Sequence, residues 1–209
     1  MFAIGKFSAY YTTVATVKIL IEGYAKKFAK GWLASSTVCL ITSGDKKILT
    51  DPGCNRKKLL NALQQEGLTT ADIDYVFLSH CHPDHSLLAG IFERAKCVTW
   101  DANLIYDNDS IFEFDAHTLG PDIEIIQTPG HLLEHISLIV ETAKGKVGIA
   151  GDAIWWLDDE AQVFDVHQPD HSQAKGMNLN DLITSRKKLL EKSDYIIPGH
   201  GKMFKVDKQ

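Results

Sequence analysis

Four times along this chain an apolar run ends in a loop that holds histidine or aspartate. Residues 75–78 ("YVFL") lead into "SHCHPDHS". Residues 123–127 ("IEIIQ") lead into "TPGH", residues 147–150 ("VGIA") into "GD", and residues 194–197 ("DYII") into "PGHG". Short β-branched and apolar runs bounded by Gly and Pro read as strands. Polar groups placed repeatedly at strand ends are how a layered α/β domain builds a site. The pattern therefore predicts stacked strands and helices with one polar site gathered from several strand ends.

The remaining elements fit that frame. Residues 14–22, 36–42 and 47–50 read as strands, with "SGDK" as a hairpin turn between the last two. Residues 56–66 ("RKKLLNALQQE") read as an amphipathic helix with Leu59, Leu60 and Leu63 on one face and Gly67 closing it. Residues 87–92 predict a short helix, and residues 97–100 and 136–140 predict strands. Leu179–Lys192 predicts a longer helix. Residues 153–176 show no clear period, which in a compact domain suggests a lid or active-site loop. A length of 209 residues without a linker or low-complexity tract suits one domain over 1–209.

A formal net charge of -5 gives no global pull toward nucleic acid, although a local basic patch is compatible with it. Cys39, Cys54, Cys81 and Cys97 form no CxxC pair and read as reduced thiols. The opening "MFAIGKFSAYYTT" has neither a long apolar run nor a cleavage signature. No stretch is long and apolar enough to span a membrane. The expectation is a cytoplasmic protein with no membrane partner. The sequence sets no oligomeric state.

"HCHPDH" places three histidines and an aspartate on one short loop. Imidazole and carboxylate ligands suit zinc, and also iron or manganese. On an extended segment His80 and His82 point the same way and can reach one ion. Asp84 and His85 follow the Pro83 turn and can face a second ion beside it. Cys81 lies between the paired histidines and should point away, as a packed thiol rather than a ligand. His131, Asp152 and His200 are the other strand-end candidates. Five histidines and two aspartates suffice for two ions with an open position for water, and two zinc ions are the expected cofactors.

These motifs resemble the metallo-β-lactamase superfamily. "HCHPDH" matches its HxHxDH signature, and Asp51 in "TDPG", His131 in "TPGH", Asp152 in "AGD" and His200 in "PGHG" match the other motifs in order. The resemblance implies an α+β, four-layer αββα sandwich with the site on one edge. It assigns His80, His82 and His131 to the first metal, Asp84, His85 and His200 to the second, and Asp152 to the bridge. Asp51 would then be a buried residue that hydrogen-bonds the histidine loop; a simple strand-ending turn with Pro52 is the other reading. The implied chemistry is attack of an activated water on a carbonyl carbon or a phosphorus, with Asp84 as the catalytic proton shuttle.

Departures from other branches narrow the choice. Asp152 stands where the best-known zinc β-lactamases carry cysteine or lack the bridge, and His82 stands where flavodiiron proteins carry glutamate. There is no room for the cap domain of β-CASP nucleases, nor after His200 for the helical domain of glyoxalase II. "SHCHPDHSLLAGIF", "GIAGDAIW" and "SRKKLLEKSDYIIPGHGKMFKV" resemble a small single-domain branch associated with ribonuclease activity on histone pre-mRNA 3′ ends. The resemblance implies phosphodiester hydrolysis of single-stranded RNA. Hydrolysis of a small-molecule acyl substrate (thioester, lactone or β-lactam) is one alternative, and a mononuclear-iron persulfide dioxygenase is another. Trp155 could line the substrate cleft and stack on a base, with core packing of Trp155 or Trp156 as the other reading. His135 reads as a structural histidine, and His117, His167 and His171 as surface ones. The basic runs at 56–58 and 186–188 read as solvated helix faces.

Overall fold

The computed structural model describes residues 14–100, 104–113, 118–172 and 177–208. The opening segment read for a leader and His117 both lie outside the described residues.

The first half of the chain builds one sheet. Its strands are β1 (Thr16–Ile21), β4 (Val38–Ser43), β5 (Lys46–Thr50), β6 (Tyr75–Phe77), β7 (Lys96–Val98), β8 (Leu104–Asp107) and β9 (Ser110–Glu113), side by side in that order. The second half builds a sheet from β10 (Ile123–Gln127), β11 (Ile136–Thr142), β12 (Gly145–Ile149), β13 (Tyr195–Ile197) and β14 (Phe204–Lys205). A separate hairpin, β2 (Tyr24–Phe28) and β3 (Gly31–Ser35), stands outside both. The helices are α1 (Arg56–Gln65), the single turn α2 (Pro83–Ser86) and α3 (Leu179–Lys192).

Strand alternation explains why the central runs are apolar without a gap. Ile41, Ile48 and Phe77 face the second sheet and meet Ile136, Leu138 and Ile149 there. Their neighbours Leu40, Leu49 and Val76 point the opposite way, onto Leu59, Ala62 and Leu63 of α1. The second sheet repeats this with Ile126, Ile139 and Ile196 under Leu182 and Leu189 of α3. Each sheet is thus buried on both faces, which is what a continuous apolar run encodes. The result is the expected helix–sheet–sheet–helix sandwich. Each fully buried Leu, Ile or Phe contributes about 1.5–3 kcal/mol.

The pairs β5/β6, β6/β7 and β12/β13 are parallel. Parallel neighbours need a crossover, so α1 joins β5 to β6 and α3 lies between β12 and β13. The carboxyl ends of β6, β12 and β13 therefore open toward the same edge.

The elements depart from the sequence reading in several places: β8, β9 and β14 were not expected, and the strand read at 97–100 runs over Lys96–Val98. The short helix begins at Pro83, not at residue 87, because proline suits the first helical position; residues 89–91 form only a 3-10 turn. The hairpin β2–β3 was not expected, since "YAKKF" carries no alternation. Among the described residues no helix is long and apolar enough to cross a membrane.

Candidate metal centre

After β6 the chain bends at Ser79 and His80 and runs through Cys81 to His82. The imidazoles of His80 and His82 fall together, while Cys81 stands outside the cluster but is exposed rather than packed as expected. One turn of α2 then brings up Asp84 and His85. The loop is fixed from below by Asp51, which is buried and adopts a positive φ of 39°. Its carboxylate accepts from the Ser79 amide (2.8 Å), the Ser79 hydroxyl (2.7 Å) and His85 Nδ1 (3.0 Å). Of the two readings of Asp51, the structure therefore selects the buried residue that holds the histidine loop.

The second sheet supplies His131, Asp152 and His200, each directly after a glycine. Gly151 and Gly199 show the reason. Gly151 has φ +52°, where a side chain would be strained and would press on Ser79 and His135. A Cβ on Gly199 would lie 2.0 Å from Asp152 Oδ1.

The seven side chains converge in two groups. His80 Nε2 and His131 Nε2 each lie 3.0 Å from His82 Nδ1. His200 Nε2 lies 3.3 Å from Asp84 Oδ2, and His85 Nε2 lies 4.0 Å from the same oxygen. Asp152 sits between the groups. Its Oδ2 is 3.5 Å from His131 Nε2 and 3.8 Å from His80 Nε2, and its Oδ1 is 3.1 Å from His85 Nε2 and 3.5 Å from His200 Nε2.

The outer ring nitrogens show whether a cation fits. An ionised carboxylate or a carbonyl can only accept, so its histidine partner must carry the proton on that nitrogen. Asp51 fixes the proton on His85 Nδ1, Asp170 fixes it on His131 Nδ1 (2.7 Å), and the Ser35 carbonyl fixes it on His200 Nδ1 (3.2 Å). The Ser79 hydroxyl spends its proton on Asp51 and so accepts from His80 Nδ1 (3.0 Å). Four Nε2 lone pairs are thereby aimed inward, together with His82 Nδ1 and two carboxylates. One proton on His82 Nδ1 cannot serve both imidazoles beside it. His85 Nε2 and Asp152 Oδ1 are both buried and face each other at 3.1 Å, without a well-aligned hydrogen bond to any described residue. Buried lone pairs without donors are costly unless a cation meets them. The donor set fits two divalent cations.

The electrostatics agree. Burial holds His80 well below the usual imidazole range, and it lowers His82. Burial also opposes charge on His85 and His200, yet the Asp152 carboxylate, joined by Asp51 at His85, overcomes it. His85 rises well above its ordinary value and His200 to about 9. Burial works against an ionised Asp152, but His85 and His200 hold it well below the usual carboxylate range. The negative charge thus draws protons into positions that cations would take.

A family model described as the metallo-β-lactamase superfamily matches residues 31–104. Metallo-β-lactamase domain-containing protein 1 of Xenopus laevis is 31% identical over 201 residues, covering 92% of this chain and 82% of the relative. The chain belongs to the metallo-β-lactamase superfamily. Two solved structures share the fold. The dizinc quorum-quenching lactonase AidC superposes with a TM-score of 0.59 at 19% identity, covering 81% of this chain and 74% of that one. A protein solved in a di-iron-bound form gives 0.56 at 19% identity, covering 82% and 90%. Fold and histidine–aspartate cluster together make this superfamily member a metal-dependent hydrolase with a dimetal-binding site.

Above the superfamily site lies a cleft of about 470 Å³, walled by Trp32, Ala34, Leu87 and Trp155 and floored by His82, Asp84, Asp152 and His200. Trp155 is mostly buried, with its ring 5.6 Å from that of His200 and 6.2 Å from that of Trp32. Trp156 instead packs in the core against Phe164 and Phe204. His135 is buried beside His80, bonded to the Thr128 hydroxyl, and burial pushes it down to about 3. His167 is exposed as expected. His171 is not a free surface group: it stands on edge against Trp155 and meets Glu160 at 3.0 Å.

A further expectation fails nearby, and two residues went unread. Arg186 is not on a solvated face; it is buried and donates to the carbonyls of Ala153, Val166 and Gln168. It thereby ties residues 153–168 to α3. Asp170 was missed altogether, although "QPDHS" repeats the "HPDHS" of the metal loop and could have drawn notice. Trp32 was missed with its hairpin.

Proposed function

We propose that this chain is a dinuclear metal hydrolase that cleaves phosphodiesters in single-stranded RNA. His80, His82 and His131 would hold one cation and Asp84, His85 and His200 the other, with Asp152 touching both. When bound, two divalent cations lower the pKa of a nearby water and supply Lewis acidity. Zinc suits the donors, and iron or manganese would also. Asp84 is the ligand carboxylate that faces the cleft, its side chain 25% exposed. It is held ionised by His200 against the cost of burial, so it can accept a proton from the attacking water.

The observation that carries the RNA reading is the hairpin. Ala25, Trp32 and Ala34 line the cleft, and pairing of Lys27 with Trp32 and of Ala25 with Ala34 puts Lys27 on that same face. Its ammonium lies 5.4 Å from the Trp32 ring centroid. Lys27 thus sets a cation beside the cleft in an otherwise acidic chain. Aromatic rings beside cations suit unpaired bases and their phosphates.

A small acyl substrate is the second reading, favoured because no Lys or Arg among the described residues lines the cleft itself. The test compares a labelled single strand, its duplex, a glutathione thioester, a lactone and a chromogenic cephalosporin, each with and without chelator. Single-strand cleavage that is chelator-sensitive and weakened by salt is expected. Thioester or lactone turnover, with no strand cleavage above an Asp152→Ala control, would overturn the nuclease reading. Metal analysis should find about two ions per chain. One iron with oxygen-dependent turnover would indicate the dioxygenase instead.

A further inference from the structure

We infer that Asp170 is a positioning residue that couples the cleft wall to the first metal position, so that residues 153–172 help set metal affinity there. The inference rests on the dimetal reading above. The Asp170 side chain is fully buried. Its Oδ2 accepts from His131 Nδ1 at 2.7 Å and from Trp155 Nε1 at 3.4 Å. Its Oδ1 accepts from the Ser172 amide at 2.7 Å and the Ser172 hydroxyl at 2.6 Å. One carboxylate therefore holds a candidate ligand and the indole that walls the substrate cleft.

His131 follows β10 and belongs to the second sheet, but its tautomer is decided from a different part of the chain. If the proton moved to Nε2, His131 could no longer offer a lone pair to a cation. Asp170 prevents this only while it stays where it is. Its segment is in turn fixed by Arg186, which donates to Ala153, Val166 and Gln168 on the way to Asp170. His85 and His200 take their outer bonds from Asp51 and the Ser35 carbonyl, outside this segment. Asp170 therefore reaches the outer ring nitrogen of His131, while the Trp156 amide of the same segment donates only to the His200 backbone carbonyl, at 3.2 Å.

Asp170→Asn is the discriminating change. The groups facing both carboxylate oxygens are donors, so the amide NH2 must meet a donor on one side or the other. Turned toward His131, it invites the wrong tautomer. Turned toward Ser172, it strands an amide N–H and leaves His131 with a neutral acceptor. Metal-free wild type and variant are titrated with Co²⁺, following the d–d absorption of each equivalent. Wild type should take up two equivalents; no uptake would defeat the dimetal reading itself. In the variant, affinity at the first position should fall about 10- to 100-fold, as for other carboxylates behind a ligating histidine. The second should change by no more than about threefold on the same scale. Equal loss at both positions, or no loss at either, overturns the inference. Independently of any variant, nitrogen NMR of histidine-labelled metal-free wild type should find His131 protonated at Nδ1. Protonation at Nε2 overturns it.

Discussion

Replacing Asp51 with asparagine should damage both metal positions at once, unlike the Asp170 change. Asp51 is 3% exposed and accepts three hydrogen bonds, two at Oδ2 and one at Oδ1. Both Oδ2 partners lead to candidate ligands. His85 is bonded directly, and His80 is reached through the Ser79 hydroxyl. With an amide nitrogen at that place, His85 Nδ1 loses its acceptor. The Ser79 hydroxyl then accepts from the amide, and its own proton can turn toward His80 Nδ1, which favours the tautomer that offers no Nε2 lone pair to a cation. Hydrogen bonds to a charged group contribute about 1.5–3 kcal/mol each, and an unsatisfied buried donor costs about 1–3 kcal/mol. Loss of one such bond with partial rearrangement of the second implies a destabilisation of about 2–4 kcal/mol. For a chain of this size that lowers Tm by about 4–16 °C. Asp51→Ala would strand all three donors and approach the whole stability of about 5–15 kcal/mol, so it is the poorer probe. The assay is urea unfolding of metal-free protein, paired with Co²⁺ titration. Weakening of about 10- to 100-fold at both positions is expected. A variant within about 0.5 kcal/mol of wild type, with both affinities intact, would refute the wiring from Asp51 to the two histidines.

Asp152→Ala should lower metal content below two equivalents and abolish chelator-sensitive hydrolysis while the fold survives; full activity would show that Asp152 does not link the two positions. Cys81→Ser should leave metal content and activity unchanged because the thiol is exposed and outside both ligand groups. Loss of one metal equivalent in that variant would make Cys81 a ligand. Metal-free protein should lose stability as pH rises from about 6.5 to about 9, since His200 binds its proton more tightly folded than unfolded. That contribution is fully present below the unfolded value and amounts to about 3 kcal/mol. Thermal melts across this range, with and without chelator, check it, and a flat or rising metal-free profile would contradict the assignment.

The strand-end candidates that converge were legible because each lies within a few residues of an apolar run, so local pattern carried them. The His80–His85 loop needed only alternation and a proline turn to be read. Asp51 was legible as a residue but not as a role, because its partners Ser79 and His85 come from another strand. The hairpin β2–β3 was invisible for a different reason. Its outer half (Phe28, Trp32, Leu33) is exposed, so burial never imposed a period of two on its sequence. Residues 153–172 lack regular structure over most of their length, and Arg186, which anchors them, comes from α3. A basic triplet in a helix gives no sign that its first member will be enclosed. Asp170 was hidden by the same distance: 39 positions separate it from His131.

The proposed metal positions sit on the seam between the two sheets. Each draws ligands from the β6 loop on one side and from a loop of the second sheet on the other. A nascent chain that has released only the first sheet has His80, His82, Asp84 and His85 but neither His131, Asp152 nor His200. It can offer at most a fragment of either site, and that fragment is too poor in ligands to close a coordination shell. Complete sites exist only after α3 and β13 have docked and brought His200 home. Loading is therefore the closing event of assembly, and each ion then acts as a rivet across the sandwich. Because unfolded chain competes so weakly for the ions, their binding energy goes to holding the two sheets together.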